Sequence, residues 1–182
     1  MAEHVRDVPD AFSASASIVA GRAFDHVGMS VPNLDDAIRF FVEIFGARLL
    51  FRMDRPTGDA AMGAERLGIA ASAKFALAML ELGGSNIELL QWWPVRSDAW
   101  PPEADLPGGM HVAIDVADVA MTLATLRDVD EVEIVGGLST FEAGATPGLS
   151  NAFVRTPWGA LIELVTWHEA GPVRRSDESS VS

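Results

Sequence analysis

The chain has 182 residues, 49% of them hydrophobic, no cysteine and a formal net charge of −13. It is long enough to bury a sizeable core as one domain or two small modules, and the absence of thiols removes disulfides, thiolate catalysis and zinc–thiolate sites. With no basic cluster beyond Arg174 and Arg175, and no apolar stretch of the ~18 residues that mark a membrane span, neither nucleic acid nor a membrane is an expected partner.

Glu3, Asp7 and Asp10 stand where a signal peptide needs positive charge, so a cytoplasmic location is expected by default. Residues 1–20, with Ser13, Ser15 and Ser17 among alanines, read as a flexible N-terminal arm. A first module is expected over 21–98. It opens with a strand over 23–31, after which Pro32 and Asn33 start a helix. Leu34, Ala37, Ile38, Phe41 and Phe45 fall at helical spacing, Asp35 and Asp36 occupy the first turn, and Gly46 ends the element. Strands follow over 48–53, 74–82 and 86–93, the last two joined as a hairpin through Gly83, Gly84 and Ser85. The Ala-, Gly- and Met-rich stretch over 57–68 reads as an insertion.

A Pro-rich linker over 99–108 leads to a second module over 109–168. A strand over 110–116 precedes a weaker helix capped by Asp118, with Val119, Leu123 and Leu126 on one face. Strands near 132–138, 151–155 and 161–167 complete the module, the last two turning on Thr156, Pro157, Trp158 and Gly159. The polar tail over 169–182 is expected to be disordered. The fold class is therefore α+β, built as βαβββ twice.

The two modules repeat one pattern. FDHVGMSV and SNIELLQW begin and close the first; GMHVAIDV and ALIELVTW do the same for the second. His26 and His111 thus occupy equivalent places, as do Glu88 and Glu163. His26 and Glu88 are 62 residues apart and His111 and Glu163 are 52 apart, a difference near the size of the insertion. Alternation in Ile87-Glu88-Leu89 and Ile162-Glu163-Leu164 sets each carboxylate on the strand face opposite its apolar neighbours. A lone His or Glu at such a place is usually an ordinary surface or core residue, but four at matching positions of a duplication point to a metal site. A partly buried carboxylate is costly unless paired or metal-bound. Two neutral imidazoles and two carboxylates make a formally neutral shell around a divalent cation such as Ni, Co, Mn, Zn or Fe.

The stretches FDHVGMSVPNLDDAIRFFVEIFGARLLF, LGGSNIELLQW, GGMHVAIDVADV and FVRTPWGALIELVTW resemble the vicinal oxygen chelate superfamily of glyoxalase I, methylmalonyl-CoA epimerase, extradiol dioxygenases and antibiotic-resistance proteins. The resemblance covers about residues 22–168. It implies two βαβββ modules forming a curved mixed sheet around a metal-containing cavity, metal ligands at His26, Glu88, His111 and Glu163, and assembly as a homodimer. It further implies proton abstraction next to a carbonyl, an enolate stabilised by the metal, and Glu163 or Glu88 as the base, with Glu65 in the insertion a second-line candidate. Since the chain has no tyrosine, an acid would be a carboxylic acid, a His or a bound water.

Departures from the family narrow the substrate. Bacterial glyoxalase I typically has an arginine at the fourth position after its first ligand His, and an asparagine at the fourth after its second ligand, both serving glutathione; Ser30 and Trp92 stand there. A fourth protein ligand at Glu88 counts against an Fe(II) extradiol-type dioxygenase, which needs open positions for catechol and dioxygen. For a CoA thioester, only Arg48, Arg52, Arg55 and Arg96 could meet the phosphates. Phe51, Met53, Met62, Trp92 and Trp158 are expected to line an apolar pocket, with one at most of Trp92 and Trp93 facing it. The expectation is a metal-dependent isomerase, epimerase or lyase acting on a small, fairly apolar substrate that is not a glutathione adduct. A ligand-binding or antibiotic-sequestering protein of the same fold is the alternative. His4 and His168 are assigned no role.

Overall fold

Alternating apolar residues and two capped helices account for the regular elements in the computed structural model, which describes residues 21–54, 67–68, 73–94 and 103–168. The 1–20 arm, Met62, Glu65, Arg55, Arg96 and the 169–182 tail lie outside the described residues. The chain divides into two units, Phe24–Trp100 and the portion from Pro101 onward.

In the first unit β1 (His26–Ser30), α1 (Leu34–Phe45), β2 (Arg48–Met53), β3 (Lys74–Leu82) and β4 (Ser85–Trp93) form a sheet of order β1-β4-β3-β2. β1 lies parallel to β4, and the other pairings are antiparallel. Asn33 starts α1 because its side-chain oxygen accepts the N–H groups of Asp35 and Asp36, at 2.9 and 3.2 Å, satisfying two of the donors a helix start leaves open. Gly46 stops it in the left-handed conformation at φ 71°. The buried stripe is Leu34, Ala37, Phe40 and Phe41, so Phe40 takes a place expected for Ile38 and Phe45, which sit half-buried at the margin. Packing of Phe40 edge-on against Phe41, centroids 5.4 Å apart, accommodates both rings. The hairpin between β3 and β4 has a two-residue loop, Gly83 and Gly84 at φ 57° and 82°, with Ser85 already paired to Leu82; two successive positive φ values suit the right-handed strand twist.

The second unit repeats this with β5 (His111–Asp115), α2 (Val119–Leu126), β6 (Glu133–Thr140), β7 (Leu149–Arg155) and β8 (Leu161–Trp167), in the order β5-β8-β7-β6. Asp118 caps α2 by accepting the Met121 N–H at 2.8 Å, and Val119, Leu123 and Leu126 are buried as the spacing predicts. β6 and β7 extend beyond 132–138 and 151–155. The reason is an irregularity in β6 between Val135 and Ser139, where Gly136 at φ 75° helps to absorb extra residues and lets pairing resume at Ser139–Asn151 and Thr140–Ser150.

Both sheets have a helix-covered face and a second face that bears a His and a Glu, His26 and Glu88 in the first unit and His111 and Glu163 in the second. Under α1 lie Ala76, Ala78, Leu80, Ile87 and Leu89; under α2 lie Ala152, Val154, Ile162 and Leu164, all buried. Each fully buried Leu, Ile or Val contributes about 1.5–3 kcal/mol of transfer free energy. Among the described residues no helix is long and apolar enough to cross a membrane.

Candidate metal centre

β1 and β4 run in register with His26 opposite Asn86 and Gly28 opposite Glu88, so His26, Gly28, Ser30, Glu88 and Trp92 share the face turned away from α1. His26 Nε2 lies 3.7 Å from Glu88 Oε2. The other ring nitrogen, Nδ1, is 2.7 Å from Asp25 Oδ1. With Nδ1–H donated to Asp25, neutral His26 keeps its Nε2 lone pair on the Glu88 side, the arrangement that orients a metal-binding imidazole. The His26 pKa is raised above the ordinary 6.5, chiefly by the Asp25 hydrogen bond, with the charges of Glu88 and Asp25 adding to it and burial opposing.

The second unit builds a matching pair by the same register. His111 is opposite Leu161 and Ala113 opposite Glu163, and His111 Nε2 lies 3.1 Å from Glu163 Oε2. Here the carboxylate is the group held in place: the Asn151 amide donates to Glu163 Oε1 at 2.6 Å. Phe153, opposite Glu163 in the β7–β8 ladder, meets the His111 ring edge-on with centroids 5.6 Å apart.

The donor chemistry fits a divalent cation. Each pair sets an imidazole Nε2 beside a carboxylate, the glutamates are only 22% and 14% exposed, and neither has a Lys or Arg ion-pair partner among the described residues. Such carboxylates are the ones that gain most from a cation. Each unit brings together two of the four expected ligands, and no third His, Asp or Glu completes a metal-holding group among the described residues.

Of the expected pocket residues, Trp92 is on the Glu88 face and Trp93 on the other. Through the β3 and β2 registers Phe75, Met79, Phe51 and Met53 join that face. The two positions that depart from the glutathione-binding pattern meet each other: Trp92 Nε1–H donates to Ser30 Oγ at 3.1 Å, and the indole packs on Phe75 with centroids 5.0 Å apart. Trp158 is half-buried in the β7–β8 turn, three residues before Leu161, the register partner of His111. Arg48 is ion-paired with Glu81 at 3.3 Å, and Arg52 with Asp35 and Asp54 at 2.5 and 2.7 Å. These guanidinium groups are therefore already engaged by carboxylates.

Sequence reasoning missed Asp25 and Asn151. Asn151 was accessible: a turn closing Arg155 onto Leu161 sets Phe153 opposite Glu163 and Asn151 diagonal to it. Asp25 adjoins His26, and no periodicity marks which neighbour of a histidine turns back onto it. His168, assigned no role, hydrogen-bonds Ser150 Oγ through Nε2 at 2.9 Å, and Ser150 in turn lies 2.9 Å from Thr140 Oγ1, a chain on the opposite face of β7 from Asn151.

A model of the Glyoxalase/Bleomycin resistance protein/Dioxygenase superfamily matches residues 23–164. A 2-epi-5-epi-valiolone epimerase from Actinomyces sp. is 34% identical over 158 residues, spanning 86% of this chain and 85% of that protein. A probable lactoylglutathione lyase from Vibrio cholerae is 30% identical over 149 residues, 77% of this chain and 87% of the relative. The crystal structure of a glyoxalase family protein from Bacillus cereus superposes with a TM-score of 0.65 at 26% identity, covering 85% of this chain and 99% of that one. With two βαβββ units, a His/Glu pair in each and this family match across most of its length, the chain belongs to the glyoxalase/bleomycin resistance protein/dioxygenase superfamily.

Proposed function

We propose that this protein is a divalent-metal-dependent isomerase, epimerase or lyase, with epimerisation next to a carbonyl as its favoured reaction and His26, Glu88, His111 and Glu163 as metal ligands. The observation that carries the reading is the recurrence of a facing His Nε2 and Glu carboxylate at one register position of both sheets. The similarity to an epimerase over most of both chains supports the choice of reaction. When bound, a divalent cation supplies Lewis acidity that stabilises negative charge developing on vicinal oxygens, which can lower a barrier by several kcal/mol.

The chain's own residues do the rest. A carboxylate of the set, Glu88 or Glu163, accepts the proton from the carbon next to the carbonyl, the C–H electron pair moves toward the carbonyl oxygen, and a proton delivered from solvent water to the opposite face of that carbon completes the epimerisation, the carboxylate releasing its proton to solvent. Asp25 fixes the His26 tautomer. Phe51, Met53 and Trp92 offer an apolar surface beside the first pair. A small, fairly apolar substrate suits that surface better than a glutathione or CoA adduct, because Ser30 and Trp92 are bound to one another and Arg48 and Arg52 are already ion-paired.

The test is elemental analysis of protein purified without chelator, beside His111→Ala, followed by proton exchange in heavy water. About one transition metal per chain, lost in the variant, with deuterium entering an α-hydroxy ketone or 2-epi-5-epi-valiolone, is the expected result. No metal, even after adding nickel, manganese, zinc or iron, overturns it and leaves a ligand-binding protein of the same fold.

A further inference from the structure

The two His/Glu pairs occupy equivalent register positions, yet their surroundings differ in three ways. Asn151 donates to Glu163 Oε1, and the ladder position matching Asn151 in the first unit is Leu77, which has no donor. Glu88 accordingly has no hydrogen-bond donor among the described residues, His26 Nε2 lying 3.7 Å away with its lone pair toward it. Beside the carboxylates, Gly28 is the register partner of Glu88 where Ala113 partners Glu163. A Cβ at Gly28 would sit 3.5 Å from Glu88 Oε2 and 3.8 Å from Leu90 Cδ1, in ordinary contact, so its absence leaves room next to one carboxylate that a methyl group takes up next to the other. Glu88 is also the more exposed of the two, 22% against 14%.

We infer that Asn151 is a positioning residue that pins Glu163 as a static metal ligand, and that Glu88, with space at Gly28 and no amide to restrain it, is the carboxylate that leaves its resting place to accept the substrate's proton. This rests on the proposed metal-dependent reaction and divides the labour between two glutamates that the duplication makes look alike. A carboxylate must rotate or retreat from a cation to expose a basic lone pair to carbon, and one whose second oxygen is tied by a 2.6 Å hydrogen bond resists that movement. In the step, the C–H bond breaks, its electron pair moves toward the carbonyl oxygen and the proton goes to Glu88; a proton from solvent water delivered to the opposite face of the carbon completes the inversion, and Glu88 then releases its proton to solvent.

The experiment measures Mn2+ affinity by electron paramagnetic resonance in wild type, Asn151→Leu, Glu88→Gln and Gly28→Ala, alongside α-proton exchange. Asn151→Leu installs the residue found at the matching position and is expected to weaken Mn2+ binding about 10- to 100-fold, the usual loss on removing a partner of a metal ligand. Gly28→Ala is expected to leave Mn2+ affinity within about threefold, because the added methyl makes only ordinary contact with the resting carboxylate, and to slow exchange at least about tenfold, because it fills the space Glu88 would move into. Glu88→Gln is expected to keep measurable metal and lose exchange. Metal uptake by wild type with unchanged affinity in Asn151→Leu, or with full exchange in Glu88→Gln, overturns this inference alone. No Mn2+ uptake by wild type overturns the proposed function and this inference together.

Discussion

Replacing Asp25 with Asn tests whether the first histidine is tuned by its neighbour. The substitution keeps an acceptor oxygen for His26 Nδ1–H and removes only the charge, so the 2.7 Å contact survives as an ordinary hydrogen bond. Loss of such a partner costs about 10- to 100-fold in metal affinity. Because Asp25 is 86% exposed, solvent screens its charge and the low end applies: about tenfold at pH 8, which is about 1.4 kcal/mol.

The sign of the pH dependence adds a second, independent signature. At the proposed metal site, metal and proton would compete for His26, since binding requires the neutral ring. With its pKa raised above 6.5, chiefly by Asp25, wild-type His26 begins to take up a proton early as the pH falls, and apparent affinity then drops by about one decade per pH unit. In Asp25→Asn the main cause of the shift is weakened, so the decline starts at lower pH. Affinity curves measured by Mn2+ competition with a fluorescent chelator, from about pH 5.5 to 8.5, should therefore be separated by about a decade at the top and converge toward the bottom. Superimposed curves, or a gap that stays constant through pH 6, would refute the claim that Asp25 acts through His26.

Removing the helix cap with Asn33→Ala takes away the acceptor for the Asp35 and Asp36 N–H groups and should lower stability by about 1 kcal/mol in urea unfolding, with metal affinity unchanged. Phe41→Ala empties a fully buried position on α1 and should cost about 3–5 kcal/mol, read as a lowered midpoint in urea unfolding followed by circular dichroism. With the hemithioacetal of methylglyoxal and glutathione, the protein should show no saturable formation of thioester, because Ser30 and Trp92 are engaged with each other; turnover comparable to that on a small hydroxy ketone would refute the specificity argument.

Much of the architecture is legible in the chain because it depends on local signals. Asn33 before Leu34, Gly46 after Phe45 and the Gly83–Gly84 pair each satisfy a backbone requirement that few other residues meet as well. Strand limits were less legible where a bulge intervenes: nothing local in Gly136-Gly137 says how many residues of β6 go unpaired before Ser139 meets Asn151. The helix stripe was misjudged at Phe40 for a related reason. A 3.6-residue period permits either Ile38 or Phe40 at the edge of the buried face, and the sheet beneath decides which.

The candidate site shows the same division more sharply. His26, Glu88, His111 and Glu163 stand out because a duplication repeats them, but a duplication reveals only what its two copies share. Catalysis by paired carboxylates needs what they do not share, since a fixed ligand and a mobile base require opposite restraints. Asn151 restrains the second carboxylate where the first unit has Leu77, and Asp25 holds the His26 ring where the second unit has Met110, leaving Glu88 without such a tie. An aligned comparison of the modules treats such mismatches as noise; cross-strand register turns them into neighbours with chemistry. Strand pairing therefore carries the information about which glutamate can move, because one amide on β7, where the matching position of β3 is Leu77, is enough to make the two His/Glu pairs unlike.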